Sequence, residues 1–263
     1  MARTHSVALG IDIGGSGVKG APVDLEKGEM IGDRFRIDTP QPSTPEAVIE
    51  VIGEIAEHFS DELPADAAIG ITVPGVVHHG VVKFVGNLDE LWVDFDADTE
   101  FEKVLGRSVH VINDADAAGV AEARFGAAKG TEGLVLVMTL GTGIGSGAVY
   151  NGELLPNFEL GHLIMWGEKA EAKAAASAKE REELSFKDWA SERLQPYFSH
   201  VELLFSPELF VIGGGVSRKH EKFLPLLDLQ TPIVPAELKN TAGIVGAAVV
   251  AAEMAASKVY DGS

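Results

Sequence analysis

The chain has 263 residues, 46% hydrophobic and 23% charged, enough apolar material for a buried core in one large or two modest domains. Its 21 basic and 40 acidic residues leave a net charge of −19, which argues against nucleic acid as a partner and obliges any polyanionic ligand to find local cations or backbone N–H donors. The lack of cysteine excludes disulfides and thiolate metal sites, and no uninterrupted apolar run is long enough to cross a bilayer, so a cytoplasmic protein with no membrane partner is expected.

In chain order, "SVALGIDIGGSGVKGAPVDLEKGEMIGDRFRIDTP" alternates short apolar runs with glycine and the turn-like "EKGE", and reads as an antiparallel meander of about three strands. "TPEAVIEVIGEIAEHFSDEL" then places Val48, Ile52, Ile55, Ala56 and Phe59 at helical spacing, with Thr44 and Pro45 as N-cap and first-turn residues. "AAIGITVPGVV" and "VHVIND" are strands, the second leading into the helix "ADAAGVAEARFGAA". Further on, "GLVLVMTLGTGIGSGAVYNGELL" is two strands around a glycine turn, and the Ala-, Glu- and Lys-rich tract Glu168 to Leu194 reads as helical. "PELFVIGGGVS" is a strand ending in glycines, and "GIVGAAVVAAEMAASKV" is a terminal helix. The strand–glycine turn–strand unit recurs in both halves without a fixed sequence period. The pattern predicts an α/β chain with a smaller domain over 1–112 and a larger one over 113–263, the terminal helix packing back toward the first.

The glycine loops suggest phosphate. Gly15-x-Gly17-x-x-Gly20 formally matches a dinucleotide fingerprint, but that motif needs a helix to open at its last glycine, and "VKGAPVDLEKGE" reads as strand and hairpin instead. A G-x-x-x-x-G-K-[ST] loop is absent. What remains is a turn of Gly14, Gly15, Ser16 and Gly17 directly after Asp12, whose backbone N–H groups can approach phosphate oxygens. Asp12 is the candidate ligand for Mg²⁺, which takes few carboxylates plus substrate phosphates. One such loop reads more simply as an ordinary hairpin. A second at Thr142 and Gly143, and a third at Gly214 and Gly215, make phosphate loops the better explanation.

In "HVINDADAAGVAEARFG", Asn113 and Asp114 stand where a buried strand gives way to a helix. Taken alone the pair reads as a helix cap. Beside the phosphate loops it reads as a catalytic carboxylate at a strand's carboxyl end, where open α/β sheets place their ligands.

These segments, with "ELGH", resemble the ROK family (repressors, open reading frames and kinases) of sugar kinases, in family order along nearly the whole chain. The cysteine-free form with "GNLDELW" and "SRKHEKF" is similar to that family's actinobacterial polyphosphate glucokinases and polyphosphate/ATP glucomannokinases. The resemblance implies an actin-like (hexokinase/ribonuclease H-like) two-domain α/β fold, a homodimer, and phosphoryl transfer from polyphosphate and/or ATP to the 6-hydroxyl of glucose, with mannose as a further acceptor. Asp114 would be the general base. Asn113, Glu159, His162 and Glu171 (preferred over Glu168) would hold sugar hydroxyls, with Asn87 and the Gly75 backbone closing the sugar site. Most bacterial kinases of the family follow the "ExGH" motif with a cysteine-rich zinc site. This chain has no such cysteines, so no zinc is expected and His162 becomes a sugar contact.

On the donor side, Asp12 with Mg²⁺, Gly14–Gly17, Thr142 and Gly143 would surround the transferred phosphoryl, with Lys19 as a neighbouring cation. Arg218, Lys219, Lys222 and Lys239 offer a basic track for a polyphosphate chain, or equally a solvated helix face. Trp92 and Trp166 read as packing residues and His78–His79 as a surface turn. The alternatives are an ATP-only ROK kinase for another hexose, a non-catalytic sugar sensor, and a structural actin-like ATPase. The last would have no need of "ELGH" or the Asn–Asp pair.

Overall fold

The computed structural model describes residues 6–261. The chain opens with β1 (Val7–Ile13), β2 (Val18–Asp24), β3 (Glu29–Met30) and β4 (Phe35–Ile37), one more strand than the expected meander. Next come α1 (Pro45–His58), β5 (Ile69–Val73), β6 (Gly75–His78), β7 (Val81–Val85), α2 (Ala97–Leu105), β8 (Val109–Asn113) and α3 (Asp114–Phe125). The second half begins with β9 (Leu134–Leu140), β10 (Ile144–Tyr150), β11 (Glu153–Leu155) and the short hairpin β12 (Ile164–Met165) and β13 (Glu168–Lys169). It continues with α4 (Glu171–Ala174), α5 (Ala176–Arg181), α6 (Phe186–Trp189), α7 (Gln195–Phe205), β14 (Leu209–Gly213), β15 (Ile233–Pro235) and α8 (Ala242–Asp261).

The chain divides into two compact units, 1–121 with 241–263, and 122–240. The division therefore falls inside α3, not at the expected 112/113, and α8 belongs with the first unit. In the first unit the sheet order is β3-β2-β1-β5-β8, with β1 and β2 antiparallel and β5 and β8 parallel to β1. In the second it is β11-β10-β9-β14-β15, again an antiparallel hairpin pair followed by parallel strands. The recurrence seen in the sequence is thus a shared topology.

The first unit's core gathers Leu9, Ile11, Ile52, Ile69, Ile71 and Phe101, all without solvent exposure. α1 contributes through the expected apolar face, and the Thr44 hydroxyl caps it by accepting from the Ala47 N–H. The stretch Lys239–Ser257, which includes most of α8, is long and apolar enough to cross a bilayer by length and composition. Its Ile244, Val245, Ala247 and Ala248 are nonetheless fully buried in the core. Glycine makes that packing possible. A Cβ at Gly10 would lie 2.0 Å from the Ile244 carbonyl oxygen, and one at Gly70 would lie 1.9 Å from that of Ala247.

The second unit's core includes Leu136, Met138, Trp189, Tyr197, Phe198 and Phe210. Here the expected helical tract Glu168 to Leu194 is broken. Glu168 and Lys169 form a strand, Ala175 is extended between α4 and α5, and Glu183 takes a positive φ before Ser185 caps α6. Helix propensity is a weak preference that tertiary packing overrides, and here Ala170, Ala174, Ala175 and Ala178 are all fully buried.

Candidate active site

In the first unit, Asp12, Thr72 and Ile112 are in register near the carboxyl ends of three parallel strands, with Asn113 and Asp114 following directly. The Thr72 hydroxyl donates to Asp12 Oδ1 at 2.8 Å, and Lys19 Nζ, paired with Asp12 across the hairpin, lies 3.7 Å from Oδ2. The Gly14–Gly17 turn is closed by the Gly14 N–H donating to the Gly17 carbonyl at 3.1 Å. It is held from outside by Arg36, which donates to the Ser16 carbonyl at 2.7 Å, and by the Thr39 hydroxyl, which donates to the Gly14 carbonyl. Gly15 lies against Asn87, whose Cβ would be 3.5 Å from a Cβ there.

Asn113 is both a cap and a brace. Its Oδ1 accepts from the N–H groups of Ala115 (2.8 Å) and Asp116 (2.9 Å), while Nδ2 donates to the Gly75 carbonyl at 2.9 Å. The capping reading is therefore satisfied by Asn113, leaving the half-buried Asp114 in the first turn of α3 with one oxygen on the Ala115 N–H at 2.9 Å. A carboxylate fixed by a helix start at the carboxyl edge of a parallel sheet can accept a proton from a bound hydroxyl.

In the second unit, Glu159, His162 and Glu171 converge. His162 Nδ1 is 3.7 Å from Glu159 Oε2, and its Nε2 is 3.3 Å from Glu171 Oε1 and 3.2 Å from Lys169 Nζ. Burial pushes the Glu159 carboxyl above the ordinary carboxylate range, against the opposing pull of His162, and the Glu171 charge adds to the rise. Burial likewise raises the Tyr197 hydroxyl, with the Glu171 charge a further contribution. Glu171 Oε2 accepts from the Ile144 N–H at 3.1 Å. Gly143 leaves room for it, since a Cβ there would be 2.4 Å from that oxygen. Glu168 instead faces Lys173, at 3.6 Å.

The two remaining glycine loops of this unit abut. Gly214, at φ +81°, packs on the end of β9 so closely that a Cβ would lie 2.3 Å from the Leu140 carbonyl oxygen, just before the Thr142–Gly143 turn. Ser177 braces that turn through its hydroxyl, 2.6 Å from the Thr142 carbonyl. Beyond Gly215 opens a cleft of about 570 Å³ lined by Ser217, Arg218, His220, Ala236, Glu237 and Lys239.

Residues 8–175 match the ROK family model. The chain belongs to the ROK family. It is 48% identical over 249 residues to the polyphosphate glucokinase of Mycobacterium tuberculosis, spanning 94% of this chain and 92% of that protein. It superposes on the inorganic polyphosphate/ATP-glucomannokinase of Arthrobacter sp. strain KM with a TM-score of 0.90 and 53% identity, over 95% of this chain and 100% of that one. A ROK family glucokinase from Streptomyces griseus, solved with glucose and AMPPNP, matches with a TM-score of 0.80 and 26% identity, over 94% and 99% of the two chains. The fold is accordingly the actin-like α/β fold of ROK sugar kinases.

Set against this ROK framework, the sequence-derived residues fall into two groups, each inside one unit. Asp12, Gly14–Gly17, Lys19, Gly75, Asn87, Asn113 and Asp114 form the first; Thr142, Gly143, Glu159, His162, Glu171, Gly214 and Gly215 belong to the second. Of the expected basic track, Arg218 and Lys239 line the cleft, whereas Lys219 and Lys222 do not. Residues 215–222 form two short 3₁₀ turns separated by a kink at Lys219, whose backbone (φ −115°, ψ 24°) is not helical. Lys222 Nζ lies 5.8 Å from the Phe186 ring centroid.

Trp92 is fully buried as expected, whereas Trp166 is 40% exposed at the turn of the β12–β13 hairpin. Thr72, Arg36, Lys169 and Ser177 were missed. Thr72, Arg36 and Ser177 act through partners 60, 20 and 35 positions away, and Lys169 meets His162 seven positions away, so no local motif announces them.

Proposed function

We propose that this chain is a kinase that transfers the terminal phosphoryl group of inorganic polyphosphate, or of ATP, to the 6-hydroxyl of glucose, with mannose as a further acceptor. The observation that carries this reading is the nearly end-to-end likeness to a polyphosphate glucokinase and a polyphosphate/ATP-glucomannokinase. The geometry supports it. Asp114 would take the proton from the sugar hydroxyl as that oxygen attacks the terminal phosphorus, and the P–O bond to the donor would break, leaving a chain one phosphate shorter or ADP. Glu159, His162 and Glu171 would hold sugar hydroxyls, with Asn87 and Asn113 as further contacts.

The glycine turns at Gly14–Gly17 and Thr142–Gly143 would offer N–H groups to phosphoryl oxygens, with Lys19 as a cation. Asp12 fits Mg²⁺: it is a single carboxylate with one oxygen oriented by Thr72, and such a site suits an ion that keeps waters and donor phosphates as its other ligands. When bound, the ion would neutralise charge on the transferred phosphoryl. The cleft bearing Arg218, His220 and Lys239 would take the rest of the donor, its cations suiting a chain of phosphates that carries no base. A homodimer acting in the cytoplasm, without nucleic acid or membrane, belongs to the same proposal.

The test is hexose-6-phosphate formation by the purified protein with Mg²⁺, glucose or mannose, and polyphosphate or ATP. Turnover with polyphosphate supports the full reading. Turnover with ATP alone refutes the polyphosphate part, and sugar binding without turnover refutes the kinase.

A further inference from the structure

Glu122 is fully buried and belongs to none of the roles above. Its Oε1 accepts from the Leu238 N–H at 2.8 Å, and its Oε2 accepts from the N–H groups of Ala127 (2.8 Å) and Glu237 (3.2 Å). Three backbone donors converge on one side chain, so the acceptor has to be a carboxylate: an amide would set its own N–H against one of them. Gly126 makes space for it, because a Cβ there would lie 2.1 Å from Oε2. The donors are not scattered. Ala127 and Glu237 line the cleft together with Lys239, the residue after Leu238. Lys239 itself stands at φ +53°, a left-handed conformation that a lysine keeps only where its surroundings impose it.

We infer that Glu122 is a positioning residue for the phosphate donor: it clamps residues 237–238 and so holds Lys239 on the wall of the donor cleft. The inference rests on the donor-cleft assignment proposed above. Without the clamp, the segment loses the bonds that impose the left-handed turn, and Lys239 relaxes away from the cleft.

The experiment measures KM for polyphosphate, KM for glucose and kcat in E122Q, K239A and the double variant. Loss of one well-placed cation–phosphate contact corresponds to about a tenfold rise in donor KM. E122Q is expected to show that rise, with KM for glucose and kcat at saturating donor within about twofold of wild type. K239A should show a similar rise, and adding it to E122Q should change little, because the first substitution already acts through Lys239. A purely structural role would lower the active fraction, reducing kcat with donor KM unmoved, and that result overturns the inference. An unchanged donor KM in E122Q beside a raised one in K239A also overturns it. A raised KM in E122Q with none in K239A overturns the donor-cleft assignment instead. Should E122Q fail to fold, G126A, which must displace the carboxylate, is expected to reproduce the donor-KM rise, and an unchanged KM there refutes the clamp.

Discussion

Replacing Gly143 by alanine gives a sharp test of the proposed hold of Glu171 on the sugar. The new Cβ would lie 2.4 Å from Glu171 Oε2, so the carboxylate must retreat by about 1 Å to reach ordinary contact. That movement stretches the 3.1 Å bond from the Ile144 N–H past the limit of about 3.5 Å and disturbs the 3.3 Å approach of His162. The clashing atom is the end of a flexible side chain, so the fold can absorb the change. What it loses is one hydrogen bond to a buried N–H, about 1–2 kcal/mol, or a fall in Tm of about 2–8 °C. KM for glucose is expected to rise about tenfold. Because Gly143 also stands in the turn proposed to face the transferred phosphoryl, this is read beside Glu171→Gln, which keeps the residues of that turn and is expected to raise KM for glucose with KM for polyphosphate near the wild-type value. Steady-state kinetics varying one substrate at a time, beside a thermal melt, reads both effects. A lowered Tm in the Gly143 variant with KM for glucose unchanged would refute the assignment of Glu171 to the sugar, and a shift in donor KM alone in Glu171→Gln would place it on the wrong substrate.

Gly70→Ala supplies the contrasting case, because its Cβ would meet the Ala247 carbonyl oxygen of α8 at 1.9 Å, and backbone cannot swing aside. We expect at least about 1–3 kcal/mol of destabilisation by denaturant titration, and a stability equal to wild type would contradict the packing described. Asp114→Asn should lower kcat by about two orders of magnitude or more while sugar binding, followed by calorimetry, stays nearly intact. Near-normal turnover would remove Asp114 from the role of base. Glu159→Gln addresses the raised carboxyl: the folded state holds its proton more tightly than the unfolded chain, so the wild type loses stability as pH rises from the ordinary value of 4.5 through the raised one. The variant lacks this loss, so its Tm should gain on that of wild type as pH rises from about 4 to 7, and a Tm difference moving the other way would refute the burial argument.

Much of this was legible in the sequence because it is local. The strand–glycine turn–strand units, the capped helix at Thr44 and the Asn113–Asp114 junction each lie within a few consecutive residues, where hydrophobic period, glycine and capping chemistry speak directly. Even the two readings of the Asn–Asp pair were both present, and tertiary structure gave the cap to Asn113 while leaving Asp114 for another role. The helical tract after Glu168 failed because short alanine-rich segments fit several buried arrangements, and packing rather than propensity chose among them. The braces were invisible for a different reason. Thr72 meets Asp12 across 60 positions and Leu238 meets Glu122 across 116, and only strand register and loop closure bring such partners together. The basic residues show the same limit: the sequence offers Arg218, Lys219, Lys222 and Lys239 alike, but the folded backbone, kinked at Lys219, puts Arg218 and Lys239 on a cleft without Lys219 and Lys222. By itself the sequence determined which chemical groups the chain carries and the local turns that present them. Tertiary structure decided which groups share a site, because contact between distant residues depends on how whole strands and helices pack.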